Sequence, residues 1–252
     1  MMMAGPGAFR DFTPLRLTPF GFQCDQIIDP GDLDSTWQDS AGTTTRAQAD
    51  NDPVGFVRDR SGRGRNATQS TSGKRPLLKV ESGIWFLRYD GTDDDMSVSV
   101  PKGTSWFASM AYRKAASSGR GVYLASSNNS TQPPICDQTT SRLQTMRGTG
   151  TSAGQQYQAA AASGGKTTWA VASAWCDNDG SNGIRLNKTD QGALTSTGSA
   201  FTPQATWNLC GGRVSASSFS AMDLAFACIL PRVPSTEEMD IIDSYLMARV
   251  GL

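Results

Sequence analysis

The stretch GIWFLRYDGTDDDMSVSVP, residues 83–101, decides the architecture of this chain. Its first half alternates, with Ile84 and Phe86 on one face of an extended strand and Trp85, Leu87 and Tyr89 on the other. Its second half sets Met96, Val98 and Val100 against Ser97 and Ser99, the pattern of a strand buried on one side. Between them, Asp90-Gly91 reads as a tight turn. The unit is therefore strand–turn–strand, and the same grammar recurs along the chain. SWFASMAYRK from Ser105 alternates Trp106, Ala108, Met110 and Tyr112. GVYLAS from Gly121, TTWAVASAW from Thr167, GIRLN from Gly183, TWNLCGG from Thr206 and FSAMDLAFACIL from Phe219 complete the series. Clusters such as SSNNSTQPP, GTGTSAGQQ and DNDGSNG separate these runs as turns and loops. Many short strands with such punctuation predict an all-β fold, an antiparallel sandwich or jelly roll in which the first core strands pair with the last.

One helix interrupts the β pattern. Ser235 is placed to cap TEEMDIIDSYLMARV, and Glu238 three residues on completes a capping box. Acidic residues fill the first turn, Arg249 lies in the last, and Gly251 follows. Met239, Ile242, Leu246 and Val250 form the stripe expected to pack on the sandwich. At the other end, Phe9, Phe12, Leu15, Leu17, Phe20 and Phe22 are broken by Pro6, Pro14 and Pro19, which forbid a continuous helix. Residues 1–28 are read as an extended apolar arm and 29–252 as one jelly-roll domain. The arm has two outcomes open to it: to lie back on its own domain, or to dock into a neighbouring subunit through those six side chains. The Ala/Ser/Gly-rich segment from Ser152 to Gly165 reads as a loop.

Composition narrows the chemistry. Lys and Arg balance Asp and Glu at 23 each, so nothing favours duplex nucleic acid. Arg58, Arg60, Arg63 and Arg65 cluster in a Gly-rich stretch and read as a solvated loop. No apolar run reaches the ~20 residues a membrane span needs, and the N-terminus lacks the pattern of a secretory signal, so synthesis in a cytoplasm is expected. Five scattered cysteines with no C-x-x-C pair, and no histidine at all, exclude the usual zinc sets. Cys228, inside LAFACIL, reads as a small buried hydrophobe.

Without histidine, Ser-His-Asp and Cys-His catalysis are impossible. Glycoside hydrolysis needs paired carboxylates, yet only Glu81, Glu237 and Glu238 exist, the last two open the helix, and no strand shows two acids on one face. No catalytic residues and no organic cofactor are expected. Asp90, Asp93, Asp94 and Asp95 are the candidate Ca²⁺ ligands, since several carboxylates on a short loop suit that ion. The plainer reading, and the favoured one, is a tight turn with solvated acids. Trp85, Trp106, Trp169 and Trp175 fall in strand runs and read as packing residues, while Trp37 and Trp207 are left open.

A last block, WQDSAGTTTRAQADNDPVGFVRDRSGRGRNATQSTSGKRP, residues 37–76, is polar and carries no catalytic grammar, with one short apolar strand from Val54 to Val57. It resembles the "WQDSAGTTPV…DPVG…DKSGNGNHATQ…RP" block of laminin-G/concanavalin-A-like jelly-roll modules in bacteriophage and prophage structural proteins. IIDPGDLDSTWQDS, FLRYDGTDDDMSV and the tail from Gly211 are similar to the opening, middle and closing patterns of the same modules. The resemblance implies a two-sheet concanavalin-A-like jelly roll and a place in a virion assembled in a host cytoplasm. It implies an accessory protein of head or tail, present in many copies, tethered to other virion proteins by the arm and facing host surface polysaccharide. A polysaccharide depolymerase and a purely cementing subunit are the alternatives.

Overall fold

The computed structural model describes residues 19–100, 105–114, 122–126, 135–138, 142–147, 155–158, 167–177, 182–191, 206–209, 219 and 221–252. In chain order the strands are β1 (Gln26–Ile28), β2 (Thr36–Trp37), β3 (Phe56–Val57), β4 (Ala67–Thr68), β5 (Leu77–Glu81) and β6 (Ile84–Asp90). There follow β7 (Met96–Ser99), β8 (Trp106–Lys114), β9 (Val122–Ser126), β10 (Ile135–Gln138), β11 (Arg142–Arg147) and β12 (Gln155–Gln158). The last are β13 (Ala170–Cys176), β14 (Asn182–Leu186), β15 (Thr189–Asp190), β16 (Thr206–Leu209) and β17 (Ala221–Leu230), before the helix α1 (Thr236–Arg249).

They form two antiparallel sheets, a jelly roll as the sequence predicts. The first runs β15-β14-β13-β8-β17-β6-β5, with β1 also on β17. The second runs β12-β11-β10-β9-β16-β7-β4-β3-β2. The first and last strands do pair across the chain: Ile27 lies opposite Cys228, and Leu87 opposite Leu224. Three strand boundaries differ from the sequence reading. β1 belongs to the sheet although it lies on the arm's side of residue 29, because Ile27 and Cys24 are buried core residues. The segment taken as a loop from Ser152 contains β12, paired with β11. In the polar block the strand is Phe56–Val57 alone.

Alternation divides the side chains of the first sheet as expected. Leu87, Tyr89, Trp106, Ala108, Met110 and Tyr112 face the second sheet, where Val57, Ala67, Met96, Val98, Trp207 and Leu209 meet them. Phe86, Phe107, Ala111, Val171, Phe226, Cys228 and Leu230 face the opposite way, so β8, β13 and β17 are buried on both faces. A sheet buried on both faces needs a second cover. α1 provides it, with Met239, Ile242, Leu246 and Val250 buried against that side. The predicted cap is present: Glu238 N–H donates to Ser235 Oγ at 3.2 Å, and Ser235 N–H donates to Glu238 Oε2 at 2.9 Å. Gly251, at φ +75°, ends the helix as a left-handed residue should.

The helix is held by charge as well as by apolar contact. Asp243 is wholly buried. Its Oδ1 accepts from Ser173 Oγ at 2.5 Å and Ser109 Oγ at 3.4 Å, and its Oδ2 lies 3.3 Å from Arg185. Arg185, also buried, reaches Asp240 at 2.6 Å and Asp190 at 3.2 Å. Burial pushes the Asp243 carboxyl above its usual range, and the Ser173 hydroxyl and Arg185 guanidinium oppose this without cancelling it.

Removing Asp243 takes from the buried Arg185 the one buried carboxylate it pairs with among the described residues, since the side chains of Asp240 and Asp190 are exposed, and takes from Ser109 and Ser173 their shared acceptor. Asp243→Ala is therefore expected to cost about 3–5 kcal/mol in urea unfolding. An apolar Asp243→Leu/Arg185→Met pair should recover most of that. A double variant as unstable as the single one would show that the charges do not act as a unit.

Candidate functional site

The turn between β6 and β7 brings together three of the four proposed ligands. Carboxylate oxygens of Asp90, Asp93 and Asp94 all lie within 4.8 Å of one another. The turn is built by its own acids: Asp90 Oδ1 accepts from Thr92 N–H at 2.7 Å and Asp93 N–H at 3.3 Å, while Asp94 Oδ2 accepts from Asp90 N–H at 3.0 Å. Gly91, at φ +78°, passes so close to the Ala221 backbone that a Cβ would collide with it. The site is thus fixed against the first residue of β17. Asp95 is not part of it. Its carboxylate turns back to Gln69, and its N–H donates to the Lys74 carbonyl at 3.3 Å.

The electrostatics of the pair that opens and closes this turn are unequal. Burial raises the Asp94 carboxyl, outweighing the Asp90 N–H bond, and the charges of Asp90, Asp93 and Asp95 add to the rise, so that its pKa is pushed up to about 6. At Asp90, burial works against ionisation too, but the N–H groups of Thr92, Asp93 and Asp94 prevail and hold the carboxyl below its usual value. Convergent carboxylates of which one resists ionisation suit two uses: holding a hard cation through oxygen ligands, or carrying a proton.

Elsewhere among the described residues several carboxylates hold the fold together. Asp29, whose side chain is 2% exposed, accepts from Gly31 N–H and pairs with Arg60 and Arg249. Asp59 receives N–H bonds from Ile27, Ser61 and Arg65. The Gly-rich basic stretch, expected to be a solvated loop, is in this way pinned onto β1, and Arg60 and Arg63 face Asp29, Asp32 and Asp25. Glu81 is taken by Arg113, Glu238 by the helix cap and Arg232. The pattern D-x-S-x-x-x-R at Asp59 to Arg65 was the available sequence signal for the pinned loop; Asp29 had none, because its partners lie 31 and 220 residues away.

Of the six arm residues, Phe20 and Phe22 can be placed, and they take the first of the two outcomes. Phe20 is buried edge-on against Phe226 and Tyr245 of its own domain, and Phe22 stacks on Phe20. Phe20 therefore has no face left for a neighbour. Phe9, Phe12, Leu15 and Leu17 lie outside the described residues. Trp106 and Trp207 pack edge to face in the core. Trp37 is buried beneath the guanidinium groups of Arg46 and Arg58, 4.1 and 4.6 Å from its ring.

No family model matches this sequence, and no curated protein matches it. Solved structures do. The botulinum neurotoxin serotype D/C binding domain covers 91% of the chain at 12% identity with a TM-score of 0.60. The serotype D ligand-binding domain, solved with N-acetylneuraminic acid, covers 75% at 10% identity and a TM-score of 0.55. A Trypanosoma rangeli sialidase bound to 2,3-difluorosialic acid covers 80% at 10% identity and 0.55. The chain spans 53%, 48% and 32% of those three. At such identities the likeness is one of fold, a lectin-like β-sandwich.

Asp94 gives a pH test. Its folded pKa lies above the usual carboxylate value of 3.8, so its contribution to stability is complete below that pH and is lost as pH rises through about 6. Asp94→Asn keeps the acceptor for Asp90 N–H and should gain about 1 kcal/mol at neutral pH and nothing near pH 4. Millimolar Ca²⁺ should raise the wild-type unfolding midpoint and erase that advantage. A midpoint indifferent to Ca²⁺ would make the acids turn-formers only.

Proposed function

We propose that this chain is a non-catalytic accessory protein of a bacteriophage particle whose jelly roll contacts host surface glycans. The observation that carries the glycan part is the fold. Over nine-tenths of its length the chain superposes on a neurotoxin binding domain, and the serotype D ligand-binding domain was solved with N-acetylneuraminic acid. The virion part rests on the resemblance of residues 37–76 to phage jelly-roll modules. That block proves to be a set of carboxylate-pinned loops around two-residue strands, so its residue types serve a shape.

The anchor in this reading is residues 1–18, with Phe9, Phe12, Leu15 and Leu17, while Phe20 and Phe22 root it on the domain. Deleting residues 1–18 should leave the unfolding midpoint unchanged and reduce the copies of this chain per particle at least tenfold. Unchanged incorporation would sink the anchoring role. On an array of host capsule and lipopolysaccharide glycans the full chain is expected to bind without turnover, and silence across the array would remove the glycan role. The unequal pKa values of Asp90 and Asp94 support a second reading, a polysaccharide depolymerase. Release of sugar fragments abolished by Asp94→Asn would decide for it.

A further inference from the structure

α1 packs on the first sheet, and the second sheet turns its outer face the other way. Strand register carries one line of side chains straight across that face. Phe56 lies opposite Thr68, Thr68 opposite Ser97, and Ser97 opposite Asn208, with Trp37 beside Phe56 at the end. Their chain neighbours Val57, Ala67, Val98, Trp207 and Leu209 are in the core between the sheets. The period of two along each strand therefore sets this line on the outside. All four of Phe56, Thr68, Ser97 and Asn208 are half-buried.

The line is chemically graded. Phe56 stands edge-on to Trp37 with ring centroids 5.3 Å apart, and Gly42 leaves the space its ring occupies. Next come a hydroxyl, a hydroxyl and an amide, on strands spaced about 4.8 Å apart. Ser97 Oγ donates to Asn208 Oδ1 at 3.1 Å, which orients the amide. On the same face, two residues along β3 from Phe56, Arg58 is exposed. Its guanidinium lies over Trp37, and it has no anionic partner among the described residues. Among the described residues, Arg46, over the same ring, has the well-exposed Asp34 as its ionic partner, at 4.0 Å, and donates to the Asp34 carbonyl.

We infer that this outer face binds an acidic oligosaccharide, one bearing carboxylate or sulfate groups, laid across β3, β4, β7 and β16. The inference rests on the glycan-binding reading above and gives it a place. A sugar needs an apolar wall for its C–H face and short groups that both donate and accept for its hydroxyls. Phe56 is the wall, and Thr68, Ser97 and Asn208 are such groups on a rigid sheet that loses little freedom on binding. The two guanidinium groups, stacked on Trp37 and so already ordered, supply the charge complement for an acid. Among the described residues the face offers too few cations for a nucleic acid, whose binding draws on many phosphate contacts.

The test is affinity electrophoresis of the full chain through gels holding polygalacturonate, alginate, polysialic acid, neutral dextran or single-stranded DNA. At least one acidic polysaccharide should retard the chain, and dextran and DNA should not. Arg58→Gln should weaken that binding about tenfold and flatten its salt dependence. Ser97→Ala, Asn208→Ala and Phe56→Ala should each weaken it several-fold, the first two with unaltered unfolding midpoints. If none of the acidic polymers retards the chain, or DNA and dextran do so equally, the inference is overturned. If one binds and the four variants bind like wild type while Asp94→Asn does not, the glycan reading stands and this face is the wrong place.

Discussion

The central strands of the first sheet are buried on both faces, and the rest of the molecule answers to that constraint. β8, β13 and β17 have apolar residues at successive positions, so neither side of them can meet water. One side is covered by the second sheet, the other by α1. Apolar contact alone would let a helix slide on a sheet. The buried carboxylate of Asp243 removes that freedom, because only one placement brings it to Ser109, Ser173 and Arg185 together. The arginine in turn ties β14 to the helix through Asp240 and to β15 through Asp190. Such a pair adds little net stability over an apolar core, and its effect is on which arrangement forms.

Carboxylates serve the same purpose on the loops. Asp39 accepts from the N–H groups of Ala41, Thr43, Thr44 and Thr45 and from the Thr44 hydroxyl. These bonds, the Thr44 hydroxyl first, hold its pKa well below the usual range. Asp52 caps Gln48 and Ala49, and Asp50 meets Lys79 and Val80 N–H at the edge of β5, where loop 51–54 also bonds to Leu78. An edge strand that would otherwise offer open backbone groups is thereby closed. The cost for catalysis follows directly. A carboxylate already accepting several backbone hydrogens is a poor proton carrier, and Asp39, Asp52, Asp59 and Asp90 are in that state.

What could be read from sequence was whatever repeats locally. Alternation in Ile84–Tyr89 and Met96–Val100 assigned each side chain to its correct face, and the capping box at Ser235 appeared atom for atom. Long-range choices were not legible. In β17 the register against β8 shifts between Leu224 and Phe226, so Ala225 and Phe226 both face the helix, which strict alternation forbids. The two-residue strands β2, β3 and β4 are too short for any period to show. Asp95 is adjacent to Asp94 yet leaves the acidic turn, because Gln69, 26 residues away, draws its carboxylate. Phe20 illustrates the same limit. Its spacing among prolines gave no face, and its position was decided by Tyr245 and Phe226, more than two hundred residues later.

The two sheets are accordingly unequal in what they can do. The first has large apolar side chains facing α1, and any change there is felt in the core. Among its described residues the second keeps Val57, Ala67, Met96, Val98, Trp207 and Leu209 inward and places Thr68, Ser97, Ser99 and Asn208 outward, small polar groups that the core does not need. A face freed from packing can change its chemistry without cost to the fold, which is the condition under which a scaffold acquires recognition. Trp37, with Phe56 opposite it, is the exception that makes the point. It lies at the end of this polar line, and two arginines cover it, so the ring gains burial and the guanidinium groups gain order from a single contact. If the proposed binding face is right, stability and recognition meet at this one residue, at the margin of a sheet whose interior is otherwise occupied with holding the sandwich together.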